Sequence, residues 1–214
     1  MQTVTLTRGL DTKVSLSPHV STMSGKLNGI PAINTNTVTN SFCQKMQQSD
    51  SICKDCYSQS MLTKSRKNCQ PAFQRNSDLL SSDVLPLKSL PVINASWFRF
   101  NGHGELINMT HLYNLSNIAW KNPQTTFALW TKRKDLIKKY LDKEGFFPKN
   151  LILIYSNPKV NTIIQVPKYF HKVFNVLAKD NPVEGNCTGQ KCMDCLRCYR
   201  HEGDSIINEH IKKR

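Results

Sequence analysis

Acidic residues are scarce in this chain: 15 Asp and Glu stand against 29 Lys and Arg in 214 residues, a net charge of +14. Such a surplus does not specify a fold, but it favours phosphate-bearing and other anionic partners. Long apolar runs are also missing. The longest, Leu151-Ile152-Leu153-Ile154-Tyr155, has the length of a buried strand and falls far short of the ~18 residues a membrane helix needs. No internal repeat or low-complexity tract is present, and no Walker loop, helix-turn-helix or RNP motif stands out. The opening MQTVTLTRGLDTK lacks a basic start followed by an apolar stretch of about 7–15 residues, the mark of a secretory signal. A cytoplasmic protein is therefore expected. With 39% hydrophobic and 21% charged residues, the chain is neither collagen-like nor wholly disordered, and it has material for a modest core.

What is present is cysteine in two tight groups. Eight cysteines fall below the ~8–10% of a disulfide scaffold, and in a reducing compartment clustered thiols point to metal. Cys43, Cys53 and Cys56 read C-x9-C-x2-C, with Cys69 thirteen positions on. A Cys-x2-Cys pair aims two thiolates at one centre from a single turn. Three thiolates leave one iron of a cubane without a protein ligand, as catalytic zinc sites keep an open position. Cys69 reads either as a fourth ligand or as a small buried thiol on the helix that follows.

Cys187, Cys192, Cys195 and Cys198 read C-x4-C-x2-C-x2-C. The last three match the start of a ferredoxin-type run, and four thiolates within twelve residues suit a compact iron–sulfur centre. The alternative is a structural zinc knuckle, although zinc more often takes two Cys pairs across a longer spacer. These tail cysteines either form a second centre or complete the first.

The pattern between the groups alternates. A short strand is expected near Ile30–Thr35, mostly helix over 57–80 with an interruption at Pro71, and a strand over Val92–Phe100 that stops at Gly102-His103-Gly104. Leu112, Leu115, Ile118 and Ala119 recur at helical spacing over Met109–Lys121, and Asn122-Pro123 ends that helix. Then follow a strand at Thr126–Trp130, a helix with Leu136, Ile137, Tyr140 and Leu141 on one face, and a strand at Leu151–Tyr155. A strand at Thr162–Val166 and a helix at Tyr169–Leu177 are expected next. Strand–helix alternation signifies an α/β protein with a parallel sheet. Four or five such units fit an open or partial (βα) barrel rather than a closed eightfold one. The expected divisions are an irregular segment over 1–42, the partial barrel over 43–180, a Cys-rich segment over 181–200 and a basic tail over 201–214.

Polar residues recur just past the proposed strands: Cys43–Cys56, Gly102–Glu105, Thr131-Lys132-Arg133 and Ser156-Asn157. In parallel α/β folds these strand ends share one face, where ligands bind. The four segments are therefore expected to converge. His103 reads as a ligand contact or a turn residue, Glu105 as the acceptor for a bound amine or a helix cap, and Arg99 as a cluster counter-charge or half of a buried ion pair. Lys132 and Arg133 read as a carboxylate or phosphate site or as plain surface.

Taken together, Cys53-Lys54-Asp55-Cys56-Tyr57, Arg99 through Glu105, Phe127 through Lys132 and Cys192 through Tyr199 carry a resemblance. The chain resembles the radical-SAM-like barrel proteins, and within them a phage-encoded branch, the gene-product eighty-eight family. The resemblance spans roughly residues 30–200. It implies a barrel similar to the radical SAM core with a Cys-rich C-terminal tail, and a [4Fe-4S] cluster on Cys43, Cys53 and Cys56. It further implies one or two clusters in all, S-adenosylmethionine on the open iron, and a site lined by Gly102, His103, Gly104, Glu105 and Lys132. A phage origin would place the protein in the host cytoplasm. Three features differ from the radical SAM pattern: nine residues rather than three separate Cys43 from Cys53, Asp55 precedes Cys56 where that pattern has an aromatic residue, and His103-Gly104-Glu105 stands where it has Gly-Gly-Glu.

Lys132, Arg133, Lys134, Lys138 and Lys139 form a second candidate surface, able to meet a nucleic-acid backbone without sequence preference. A solvated helix face accounts for the same residues.

Overall fold

The structure, a computed structural model, describes residues 17–211. The Thr3–Thr7 piece and the terminal Lys212-Lys213-Arg214 lie outside the described residues. Strands β1 (Val20–Ser21) and β2 (Ala32–Ile33) come first, followed by helices α1 (Ser41–Gln47), α2 (Tyr57–Thr63) and α3 (Gln70–Ser82). Then come β3 (Trp97–Phe100), α4 (Met109–Lys121), β4 (Thr126–Thr131), α5 (Lys134–Glu144) and β5 (Leu151–Val160). The chain continues through β6 (Lys172–Leu177), the single turn α6 (Cys192–Cys195) and β7 (Ile206–His210).

All seven strands form one sheet in chain order, β1 to β7. Only β1 runs antiparallel to its neighbour; the pairs from β2 through β7 are parallel. The two outer strands do not meet, so the sheet stays open and no barrel closes. No helix among the described residues is long and apolar enough to cross a membrane.

Local chemistry explains the elements. Asn108 caps α4 by accepting from the His111 amide at 2.9 Å. Gly145, at φ 82°, ends α5 in the left-handed conformation that favours glycine. Pro71 lies in the first turn of α3, where its missing N–H costs no hydrogen bond, so it starts the helix instead of interrupting one.

Side chains alternate across the sheet. Phe98 and Phe100 of β3, Phe127 and Leu129 of β4, and Leu151 and Leu153 of β5 bury against Leu80, Leu112, Leu115, Ile118, Leu136, Ile137 and Tyr140 of α3, α4 and α5. The opposite face carries Ala128, Trp130, Ile152 and Ile154. It is covered by the cysteine-rich segment through Leu196 and Tyr199, with Cys192 and Cys198 packed against it. The helices thus cover one face and the cysteine-rich segment packs on the other.

Other expected elements differ, and the strand expected near Ile30–Thr35 is limited to Ala32–Ile33. The strand proposed at Val92–Phe100 is confined to Trp97–Phe100, and Val92 is exposed. Residues 162–166 form no strand, because β5 runs on to Val160 and the chain then turns at Asn161 with φ 59°. The helix proposed at Tyr169–Leu177 is the strand β6. From Val173 on, its buried positions are Val173, Asn175 and Leu177, a two-residue period, with Lys172 buried at its start. Within the proposed basic tail, Ile206–His210 forms β7, paired with β6 throughout.

Candidate functional site

The first cysteine group lies at the ends of β2, β3 and β4. Cys43 sits in the first turn of α1, whose cap is Asn40: its Oδ1 accepts from the amides of Phe42 at 3.0 Å and Cys43 at 3.2 Å. The Asn40 Nδ2 donates to the Glu105 carbonyl at 3.0 Å, tying the cysteine helix to the loop after β3. Ser51 accepts from the Cys53 amide at 3.2 Å, fixing the turn Ile52–Asp55. Cys56 then caps α2.

Glu105 is buried and fully engaged. Its Oε1 accepts from the Leu106 amide at 2.8 Å and the Thr131 hydroxyl at 2.5 Å, and its Oε2 from the Lys132 amide at 2.9 Å. It therefore splices the end of β3 to the end of β4. It does not cap α4, since Asn108 does. The half-buried Lys132 extends to Ser156 Oγ at 3.0 Å. Burial alone would lower its pKa, but the charges of Cys53, Glu105, Cys43 and Cys56 outweigh that and raise it. Burial, then the charges of Glu105, Cys56 and Cys53, hold the Cys43 thiol well above its usual range against the pull of Lys132. Cys53 is raised by burial, again opposed by Lys132. Convergence of distant segments on the strand-end face is thus observed.

The Gly102–Gly104 loop serves this arrangement from behind. His103 is buried, with Nδ1 2.8 Å from Ser58 Oγ, and Ser58 Oγ lies 2.6 Å from Thr37 Oγ1. Burial, aided by the charges of Arg66 and Arg99, lowers the His103 pKa to about 4, so the ring is neutral. Gly102 offers its carbonyl to the Tyr57 hydroxyl at 2.6 Å. Gly104 has φ 87°, and a Cβ there would meet the Thr35 carbonyl oxygen at 2.7 Å. Cys69 stands apart in role: it occupies the N-cap position of α3, half-buried, with its thiol 3.9 Å from Asn68 Oδ1.

The second group lies against the other face of the sheet. Cys192 and Cys195 flank one helical turn that closes through the Leu196 amide to the Cys192 carbonyl at 2.8 Å. Leu196 adopts φ 50°, a strained value for a bulky residue. It is buried in the apolar cluster that holds Tyr199. The next turn closes through the Tyr199 amide to the Leu196 carbonyl at 2.8 Å and carries Cys198. Cys187 is brought in by its backbone N–H, which donates to the Asn208 carbonyl of β7 at 3.0 Å, and its sulfur lies 3.7 Å from Lys26 Nζ. Lys26 also pairs with Glu209.

Cations surround these sulfurs. Burial raises the Cys192 thiol and pushes Cys198 up to about 12, with Arg99 the main opposing charge at both. Arg99 stacks over Trp130 at 3.6 Å. Lys172 is buried, its Nζ donating to the Asp204 carbonyl at 2.8 Å. Burial lowers its pKa, and Cys198 is the first charge acting the other way.

All eight cysteines are free thiols. Among the described residues no three His, Cys, Asp or Glu side chains stand close enough to hold a metal ion; each group is gathered but not closed on a point. One observation fits the C-terminal group to an anionic centre: the Arg99 guanidinium, whose buried Nε has no partner of its own, hydrogen-bonds Tyr199 beside Cys192 and Cys198. Buried donors normally have acceptors.

A family model described as Gene product 88 matches residues 5–205. The chain belongs to the Gene product 88 family. It matches none of the curated proteins and none of the solved structures. In this Gene product 88 member the matched span takes in both cysteine groups and the strands β1 to β6, and stops just before β7.

The basic stretch is partly engaged within the fold. Arg133 pairs with Asp135 at 2.8 Å and donates to the carbonyls of Leu106 and Ile107 at 3.1 Å. Lys134 lies over the Tyr155 ring at 4.0 Å. Lys138 pairs with Asp142 at 2.5 Å, and Lys139 is exposed. Sequence reasoning missed Asn40, Lys26 and Lys172. An Asn just before a helix is a readable cap signal, but nothing in the spacing of Lys26 or Lys172 points to Cys187 or Cys198.

Proposed function

We propose that this protein is an iron–sulfur protein with a radical-SAM-like core. Cys43, Cys53 and Cys56 hold one cluster at the strand-end face, and Cys187, Cys192, Cys195 and Cys198 hold a second on the opposite face of the sheet. The observation that supports this is a four-cysteine group set among cations, with Lys26 Nζ 3.7 Å from the Cys187 sulfur and the charges of Arg99 and Lys172 acting at Cys198. A cluster's thiolates and sulfides supply the acceptors and the negative charge that such an environment lacks.

At the first group the three cysteines and Lys132 act together. Three protein ligands leave a position for a small molecule, and Lys132 offers a cation to its carboxylate. S-adenosylmethionine carries such a carboxylate. Its amine would have to compete for Glu105 with Leu106, Thr131 and Lys132, which already hold both oxygens. The chemistry of the group, once bound, is one-electron transfer.

Iron and acid-labile sulfide measured in anaerobically purified protein test the reading. Both elements, with broad absorption near ~400 nm, are expected. Stoichiometric zinc without sulfide would replace it with a zinc module. S-adenosylmethionine added to the reduced protein should alter the cluster's EPR signal if it binds the open position; an unchanged signal removes that ligand.

A further inference from the structure

We propose that a cavity at the N-terminal ends of β5 and β6 binds a nucleobase together with its phosphate, supplied by a free mononucleotide or by a single-stranded nucleic acid. The site needs no metal and goes beyond the iron–sulfur reading above.

The cavity has a volume of about 490 Å³, within the ~300–1,000 Å³ of small-molecule pockets. Its walls come from segments just ahead of three strands: Phe147 and Lys149 before β5, Tyr169 and His171 before β6, and His201 before β7. Because these strands are parallel, this end of the sheet is opposite to the strand ends that hold Cys43, Cys53 and Cys56. Phe147, stacked on Tyr140 at 4.1 Å, gives the cavity an apolar wall. No carboxylate lines it.

The backbone singles out Tyr169. The Phe170 amide donates to the Pro167 carbonyl at 3.1 Å, closing a turn whose third residue is Tyr169 at φ 75°. Such a turn position favours glycine, and a bulky residue there is strained, as residues at ligand sites often are. The ring held in this way is 37% exposed, lines the cavity and has Lys168 Nζ 4.8 Å over it. An accessible aromatic face of this kind stacks a base.

The two histidines supply a polar edge. The Leu153 amide donates to His171 Nδ1 at 2.9 Å, which leaves the proton of the neutral ring on Nε2. Burial, then the charges of His201 and Lys172, lowers the pKa of His171 and favours that neutral form. His201 Nε2 lies 3.0 Å from the Lys149 carbonyl. A carbonyl only accepts, so Nε2 bears the proton and Nδ1 of the neutral ring is an acceptor. The rings stand at 81° with centroids 5.1 Å apart. One donor beside one acceptor is the pattern that a nucleobase edge presents. The phosphate meets Lys149 and Lys168, both exposed and neither paired with a carboxylate among the described residues.

Isothermal titration calorimetry of the full chain with adenosine 5′-monophosphate, ribose 5-phosphate and a single-stranded oligoadenylate tests this. Wild type should bind the mononucleotide and the oligonucleotide, and bind ribose 5-phosphate far more weakly. Tyr169→Gly removes the ring and relieves the backbone, so it should melt no lower than wild type while binding both nucleotide probes about tenfold more weakly. Lys149→Ala keeps the carbonyl that holds His201 and should weaken both probes, with a shallower salt dependence. Tighter binding of the oligonucleotide than of the mononucleotide supports the site with a strand as the source, and equal affinities support it with a free nucleotide. Ribose 5-phosphate bound as tightly as the mononucleotide overturns the proposal. So do affinities unchanged in both variants, or a wild type that binds neither nucleotide probe.

Discussion

Gly104 shows how a single position can hold two strand ends together. Its φ of 87° and the nearby Thr35 carbonyl leave no room for a side chain. Gly104→Ala should cost about 2–4 kcal/mol, combining left-handed strain with overpacking; urea denaturation would measure it. His111 gives a second residue-scale prediction. It is fully buried, its Nδ1 accepts from the Ile107 amide at 3.3 Å, and burial lowers its pKa to about 3. An unfolded histidine takes up a proton near pH ~6.5, whereas the folded one does not until about pH 3. Between those values the unfolded chain binds more protons, so stability is complete above about pH 6.5 and falls as the pH drops. His111→Asn, which retains an acceptor, should flatten that dependence by up to about 1.4 kcal/mol per pH unit, read from denaturant melts at pH 5 and pH 7.

At the scale of elements, α1 is short and depends on its cap. Asn40 both caps it and binds the Glu105 carbonyl. Asn40→Ala should destabilise the protein by about 1–2 kcal/mol and weaken iron retention at the first cysteine group. Melting curves and iron content measured on one preparation would separate the two effects. The elements most legible in the sequence are those with one clear period and a chemical stop. Met109–Lys121 was bounded by helical spacing and Asn122-Pro123, and it is a helix over those residues. Residues 169–177 were misread because Val173 and Leu177 are four apart and fit either period; pairing with β5 and β7 decides for strand. The grouping of cysteines was legible from spacing alone. The cations beside them were not, because Lys26 and Cys187 are 161 positions apart and only the tertiary fold brings them together.

For the whole molecule, the helices cover one face of an open sheet and the cysteine segment covers the other. That segment has one helical turn and few apolar anchors, chiefly Leu196 and Tyr199. Bound metal would therefore contribute directly to stability. Anaerobic chelation should lower the melting temperature and shift the emission of Trp97 and Trp130, which pack against Tyr199. The helix-side core should keep its far-ultraviolet signal under the same treatment. An unchanged melting temperature after complete iron removal would show that the segment holds its place without metal.

The most direct measurement is iron and sulfide content in Cys56→Ala and Cys195→Ala, each compared with the wild type after anaerobic assembly. Two separate centres predict loss of about half of both elements in each variant. Loss of everything in either variant, or a wild type that carries neither element, would contradict the account.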